Sequence, residues 1–282
     1  MYEAFYGLHA KPFSILPDPE FLYWAKPHSM AFAMLEYGIM NHAGFTVVTG
    51  EVGSGKTTLV RHLLTKLPSD ITVGLINNTQ GDRGDLLQWL MASFDQEFRD
   101  QSYVGLYKDL ERFLVNEHQR GRRAVVIVDE AQSLGARSIE ELRMMSNIST
   151  NKHELLQIIL VGQPELKALL SRPEMVQFAQ RISSDFHLVP LAKEDVPAYI
   201  DHRLSVAGAT RLLFTDEACQ LVARTAGGTP RLINVLCDTA LVYGYGQGVD
   251  LITAQVVQSV IDDKRRYGIL SMERPVSDAI HQ

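Results

Sequence analysis

The sequence predicts an α/β fold, in which a parallel sheet is covered by helices on both faces and is followed by a smaller, all-helical domain. Three observations support this prediction. Apolar, β-branched runs typical of buried strands alternate with helical periodicity up to about residue 190. Beyond residue 193, to about 264, only helical periodicity occurs. A glycine-rich segment, GEVGSGKTT at 50–58, joins the first strand to a helix.

The elements follow in a regular order along the chain. Residues 1–25 are rich in proline and aromatic residues, so we expect an extended segment that packs through its rings. An amphipathic helix is expected next, over 27–41. The strands are predicted at 44–49, 71–77, 124–130, 155–162 and 185–189. The helices between them are predicted at 57–67, 84–98, 103–120 and 138–149. The helices of the second domain are predicted at 194–206, 216–225, 230–245 and 253–264, with Thr215, Thr229 and Thr253 as candidate caps.

These elements define the expected domains. Residues 1–44 form an N-terminal segment and helix that pack on the core, and residues 45–191 form the α/β core itself. Residues 192–264 form a helical lid domain, and 265–282 form a C-terminal tail.

Composition limits the classes of function. The net charge of −6 disfavours a molecule that attracts DNA or anionic lipid as a whole, although a local basic stripe stays possible. The two cysteines, Cys219 and Cys237, lie in helical patterns, which fits a reducing cytoplasm rather than a disulfide framework. The N-terminus lacks the pattern of a signal peptide, and we expect no membrane-spanning segment. A cytoplasmic protein is therefore expected.

The segment at 50–58 fits the phosphate-binding pattern G-x-x-x-x-G-K-[ST]. Its glycines let backbone N–H groups point at phosphate oxygens, and the following helix adds its partial positive charge. Lys56 is expected to reach the β- and γ-phosphates, and the Thr57 hydroxyl to bind Mg²⁺. The predicted nucleotide-binding residues are Gly50, Glu51, Val52, Gly53, Ser54, Gly55, Lys56, Thr57 and Thr58.

Polar residues that end two later strands complete the predicted site. Asp129 and Glu130 close an apolar strand, where an acid of a phosphate-loop protein holds Mg²⁺ and its neighbour acts as general base. Gln163 follows the strand LLQIILVG and is expected to orient the attacking water or sense the γ-phosphate. The predicted ligands are ATP and Mg²⁺, with Thr57 and Asp129 at the metal.

Three arginines outside these motifs are candidates for contact with a bound nucleotide. Arg181, just before the last strand, is a candidate arginine finger that acts on the nucleotide of a neighbouring subunit, and Arg172 is the rival candidate. Arg231, in GGTPRLIN, lies at the start of a helix and is expected to contact the nucleotide as the domains close. The alternative for each is a surface arginine without a role in catalysis.

Together these residues resemble the AAA+ ATPases: Walker A GEVGSGKT, Walker B VVIVDE, sensor 1 Gln163, finger Arg181 and sensor 2 Arg231. The N-terminal string YGLHAKPFSILPDPEFLYW and the later strings DEAQSL, LVGQPEL and GGTPRLINVLCDTAL are similar to the ExeA (general secretion pathway A) family. The resemblance extends over about residues 1–262. It implies an AAA+ core with a C-terminal lid.

The resemblance also implies a function. Members of that family are ATPases that support assembly of secretion, pilus or polysaccharide-export systems. Longer members continue into a membrane span and a peptidoglycan-binding domain, which this sequence lacks, so we expect an inner-membrane or envelope-assembly protein partner. Self-association into an ATP-dependent ring or filament is expected as well. The alternative is an ATP-dependent oligomer on DNA, as in the TniB/TnsC-like transposition regulators.

Overall fold

The computed structural model describes residues 1–77, 86–99, 101–150 and 154–267. The chain divides into two compact units. One comprises His28–Val52 and Lys56–Val189 and is called the sheet unit here. The other comprises Met1–Pro27, Gly53–Gly55 and Pro190–Gln282 and is called the helical unit. None of the helices in the described ranges combines the length and apolarity needed to cross a membrane.

In the described part of the sheet unit, five strands form one parallel sheet. The strands are β1 (Phe45–Gly50), β2 (Ile71–Ile76), β3 (Arg123–Val128), β4 (Leu156–Gly162) and β5 (Ile182–Leu188). Their order across the sheet is β2-β3-β4-β1-β5, and neighbouring strands pair in parallel throughout. The carboxyl ends of all strands therefore meet at one edge, which is where ligands bind in such sheets.

Helices cover both faces of this sheet. They are α2 (Lys26–Met40), α3 (Lys56–Lys66), α4 (Leu86–Ser93), α5 (Tyr103–Gln119), α6 (Ala136–Ser146), α7 (Pro164–Leu170) and α8 (Val176–Ala179). Val125 and Ile127 of β3 pack in one apolar cluster with α2 and α3. Val126 and Val128 pack in the other, with residues of α4 to α8. Because both faces are buried, the strand is a continuous apolar run rather than an alternating one.

Most predicted elements of the sheet unit are confirmed, with differences at their ends. Strand β3 stops at Val128, so Asp129 and Glu130 follow the strand instead of belonging to it. Strand β5 begins at Ile182, earlier than predicted, because an edge strand tolerates the polar residues Ser183 and Asp185 on its exposed side. The first two residues of the helix predicted at 84–98, which corresponds to α4, lie outside the described residues. Helix α7 was not predicted, since seven residues show too little periodicity.

The helical unit contains α1 (Glu3–Tyr6), α9 (Val196–Val206), α10 (Asp216–Ala226), α11 (Pro230–Gln247) and α12 (Ala254–Tyr267). Thr215 caps α10, because its side chain accepts a hydrogen bond from the Ala218 N–H at 3.2 Å. Thr229 occupies the N-cap position of α11, as expected, but its side chain makes no capping hydrogen bond. Helix α12 continues to Tyr267 and so includes the first residues of the expected tail; the rest of that tail lies outside the described residues.

The N-terminal segment divides differently from the expected 1–44 block. Met1–Pro27 belong to the helical unit, whereas most of α2 belongs to the sheet unit. Tyr6, Phe13 and Phe21 are buried in one core with the helices from α9 to α12. The segment is not extended throughout, since α1 and a short 3-10 turn at Pro19–Phe21 interrupt it. The rings are nevertheless what holds it, as expected, but they pack within the helical unit.

Candidate functional site

The phosphate-binding segment links the end of β1 to the first turn of α3, which begins at Lys56. Gly53 and Gly55 have positive φ angles of 78° and 102°, a backbone conformation that glycine adopts without steric penalty. A Cβ on Gly53 would also come within 2.4 Å of the Arg231 Cβ. Glycine at these positions therefore follows from backbone geometry. The segment leads into the N-terminus of α3, and the N–H groups of a first helical turn can donate to an anion.

Lys56 is almost completely buried, with 5% of its surface exposed. Its ammonium group donates to the carbonyl oxygens of Gly50, at 2.6 Å, and Glu51, at 2.9 Å. Burial lowers the pKa of Lys56, although the carboxylates of Glu130 and Asp129 act in the opposite direction. A buried cation held by neutral carbonyls is electrostatically well suited to receive an anionic ligand such as phosphate.

Thr57 and Asp129 supply two oxygen atoms beside this lysine. The Thr57 hydroxyl donates to Asp129 Oδ2 at 2.8 Å. Burial raises the pKa of Asp129, and the hydrogen bonds from Thr57 and from the Glu130 N–H oppose that rise. Hard oxygen donors in such a pair fit Mg²⁺, which takes one or two protein ligands and completes its shell with water and phosphate. The residues present thus fit the ion.

Glu130 follows Asp129 in a left-handed backbone conformation, with φ of 55°. Such a conformation costs a non-glycine residue about 1–2 kcal/mol. Three hydrogen bonds hold it. The Glu130 N–H donates to Asp129 Oδ1 at 2.9 Å, and the N–H and hydroxyl of Ser133 donate to the Glu130 carbonyl at 3.0 Å and 2.8 Å. The turn directs the two adjacent acids to different partners, Asp129 to Thr57 and Glu130 to a pair of amides.

Those amides belong to Gln163, which was predicted, and Gln132, which was not. Both donate to Glu130 Oε2, Gln132 from 2.6 Å and Gln163 from 3.0 Å. Burial pushes the pKa of Glu130 upward, but the two amides and the charge of Lys56 outweigh it, so the pKa lies below its usual value. Glu130 is therefore ionised at neutral pH. The string DEAQ was visible in the sequence, but only the structure brings Gln132 into contact with Glu130.

The three candidate arginines occupy separate places. Arg181 lies directly before β5 and donates to the Ser146 hydroxyl at 3.3 Å. Arg172 is exposed and lies 3.9 Å from Glu174. Neither donates a hydrogen bond to Asp129 or Glu130 within the part of the chain that the structure describes. A finger that acts on a neighbouring subunit does not need such a bond, so both assignments stay predictions.

Arg231 lies in the helical unit, in the first turn of α11, and its side chain is exposed. Its N–H donates to the Gly53 carbonyl at 3.2 Å, and both residues belong to that unit. A role at the nucleotide stays a prediction for this residue.

The strand order, the phosphate loop and the C-terminal helices together define an AAA+ fold, and proteins with this fold bind nucleotides. The model of the AAA domain family matches residues 39–170. The chain is 43% identical over 249 residues, 88% of its length, to general secretion pathway protein A of Aeromonas hydrophila. The chain covers 46% of that relative, about half its length. The resemblance drawn from the sequence is thereby confirmed: the chain contains a match to the AAA domain family and is similar to general secretion pathway protein A.

Solved structures agree on the fold. The ORC1 protein of Aeropyrum pernix, solved in complex with DNA, superimposes with a TM-score of 0.67 at 16% identity, over 91% of this chain and 70% of that one. Cdc6p of Pyrobaculum aerophilum gives a TM-score of 0.66 at 16% identity, over 86% and 67%. The RuvB branch-migration motor of Thermotoga maritima gives 0.55 at 18% identity, over 88% and 73%. At such low identity the likeness concerns the fold alone.

Proposed function

We propose that the protein hydrolyses ATP to ADP and phosphate with Mg²⁺. The observation that carries this proposal is the arrangement around the phosphate loop. The sheet unit contributes three kinds of group. They are a buried lysine, a hydroxyl and a carboxylate that could bind the metal, and a second, ionised carboxylate. A protein that only bound nucleotide would have no need of the carboxylate.

Each residue has a separate role in this proposal. Lys56 and the N–H groups of the loop bind the β- and γ-phosphates, and Thr57 and Asp129 hold Mg²⁺. When bound, the ion neutralises charge on the phosphate oxygens. Glu130 accepts a proton from water as the water oxygen bonds to the γ-phosphorus. The bond from that phosphorus to the bridging oxygen then breaks, and ADP leaves with the electron pair.

We further propose that turnover requires neighbouring subunits in a ring or filament. Arg181 would neutralise developing charge on the nucleotide of the next subunit, with Arg172 as the rival. Arg231 would report the state of the nucleotide to the helical unit. The positions of Arg181 before an edge strand and of Arg231 at a helix start are compatible with these roles.

The pathway we propose is assembly of a cell-envelope secretion, pilus or polysaccharide-export system, through a protein partner at the inner membrane. Similarity to general secretion pathway protein A over 88% of the chain supports it. The net charge of −6 argues against general attraction to DNA. The alternative is an ATP-dependent oligomer that binds DNA.

Steady-state ATPase activity, measured against protein concentration with and without double-stranded DNA, tests both levels of the proposal. A steep dependence on concentration that DNA does not alter would support the oligomer and the protein partner. Strong stimulation by DNA that fades with rising salt would instead favour the DNA-binding alternative. Absence of phosphate release above that of a Glu130→Gln control would refute hydrolysis.

A further inference from the structure

A second glutamine shares the carboxylate of Glu130 with Gln163. Gln132 sits in the short 3-10 turn Ala131–Ser133, directly after the two acids. Its Nε2 donates to Glu130 Oε2, and its Oε1 accepts a hydrogen bond of 3.0 Å from the Gln163 N–H. A single side chain thus bridges the turn after β3 and the residue that follows β4.

The orientation of this amide is determined by its partners. The oxygen and nitrogen of a glutamine are hard to tell apart by shape, so their hydrogen bonds must assign them. A backbone N–H is only a donor, so the atom of Gln132 facing the Gln163 N–H must be the oxygen. The Nε2 group, which can only donate, then faces Glu130 Oε2, which accepts its hydrogen bond. The whole bridge is consistent with a single arrangement of donors and acceptors.

Space for the bridge depends on a glycine. A Cβ added to Gly162, the last residue of β4, would lie 3.0 Å from Gln132 Oε1 and 2.8 Å from a methyl group of Leu166. The glycine lets the amide approach the end of β4 closely. The side chain of Gln132 therefore packs closely against the backbone at the end of β4, directly before Gln163.

The bridge has a consequence for the two oxygens of Glu130. A carboxylate oxygen has two lone pairs, and Oε2 receives two N–H donors, one from each glutamine. Oε1 receives no side-chain donor within the described residues. The amide pair thus fixes the plane of the carboxylate and leaves Oε1 as the oxygen that meets water.

We propose that Gln132 is a positioning residue for ATP hydrolysis. Its amide holds Glu130 Oε2 and the backbone N–H of Gln163 in one hydrogen-bonded unit, so that Glu130 Oε1 accepts the proton of the attacking water. This inference rests on the proposed hydrolysis. It adds a residue that touches neither phosphate nor metal in the proposed mechanism. Its effect should therefore fall on turnover and not on nucleotide binding.

Gln132→Met tests this role, because methionine has a similar length and no amide. General-base catalysis contributes about 10²–10⁴-fold, so misplacing the base should lower kcat by roughly ten-fold or more. The Kd for a fluorescent ATP analogue should change by less than about two-fold, since the phosphate loop keeps all its contacts. Gln119→Met, at the exposed end of α5, is the matched control and should leave both quantities unchanged.

Two further measurements distinguish positioning from a general structural effect. Because both amides act on one carboxylate, Gln132→Met combined with Gln163→Ala should reduce kcat by less than the product of the single losses. In the nucleotide-free protein, Glu130→Ala should shift the side-chain amide NMR signals of Gln132 and Gln163. Glu111→Ala, on the exposed side of α5, should shift neither.

The outcomes separate this inference from the function on which it rests. Wild-type protein without turnover would refute the proposed hydrolysis, while the NMR comparison would still test the bridge. Active wild-type protein with an equally active Gln132→Met variant would refute the positioning role alone. A loss of nucleotide affinity as large as the loss of kcat would refute it too, as would amide signals that Glu130→Ala leaves unmoved.

Discussion

Replacing Arg203 by methionine tests whether the N-terminal segment is an integral part of the helical unit. Arg203 lies on α9 and is 7% exposed. Its guanidinium donates to the Pro12 carbonyl at 2.5 Å and to the Tyr199 hydroxyl at 3.1 Å. It also lies 4.9 Å from the centre of the Phe21 ring. Two of these three partners belong to the N-terminal segment.

The expected magnitude follows from these contacts. Methionine keeps most of the apolar stem of the side chain. Losing the charge also removes the free-energy cost of burying a cation, which nearly offsets the loss of that cation's favourable interactions. The Pro12 carbonyl, however, stays buried without its donor, which costs about 1–3 kcal/mol. The lost cation–π contact adds about 0.5–2 kcal/mol. We therefore expect the free energy of unfolding of the helical unit to fall by roughly 1.5–5 kcal/mol.

Tryptophan fluorescence during urea unfolding provides the assay. The two tryptophans are Trp24, in the N-terminal segment, and Trp89, in the sheet unit, so a Trp89→Phe background leaves Trp24 as the reporter. Arg211→Met is the matched control. Arg211 is exposed and contacts the carboxylate and the carbonyl of the exposed Asp250, so its loss should cost less than about 1 kcal/mol. Equal losses for the two variants would refute the structural role of Arg203.

Three further predictions concern the nucleotide site and stability. Lys56→Ala should abolish binding of a fluorescent ATP analogue, whereas Glu130→Gln should bind it and lose about 10²–10⁴-fold in kcat; equal binding by both variants would contradict the role of the lysine. Arg181→Ala should bind ATP normally but lose turnover in the oligomer; full turnover per subunit, with loss in Arg172→Ala instead, would transfer the finger to Arg172. Glu117 is almost fully buried. Burial raises its pKa, but hydrogen bonds from Thr72 and Arg122 lower the pKa by more, so that it lies below its usual value. Its stabilising effect should be complete above the unfolded pKa of about 4.3 and be lost as the pH falls towards the folded pKa. The difference in unfolding free energy between wild type and Glu117→Gln should therefore shrink in acid, and a difference independent of pH would contradict this.

The extent to which the sequence predicts the fold depends on the kind of signal. Strand β3 and strand β4 were predicted with small errors at their ends, because strands buried on both faces read as continuous apolar runs. Strand β5 was predicted too short, because an edge strand is apolar only in part. Helix α7 was missed because one or two turns hold too few residues to establish a period.

The candidate site shows the same limit. Lys56 and Thr57 stand in a local motif whose spacing alone indicates phosphate chemistry. Asp129 was assigned from its place at the end of a predicted apolar strand, and its contact with Thr57 is what parallel strands of one sheet would produce. Gln132 carries no comparable signal, because a glutamine two residues after an acid is common on protein surfaces.

By itself, the sequence determined the alternation of strands and helices, the phosphate loop and the resemblance to a family, since each depends on residues close together in the chain. The tertiary structure decided two other matters. It placed Met1–Pro27 with helices that follow residue 190, because aromatic rings pack wherever a complementary apolar surface forms. It also joined Gln132 to Gln163, because β3 and β4 are neighbours in the sheet. Contacts between distant parts of the chain depend on strand order and packing, which local patterns do not specify.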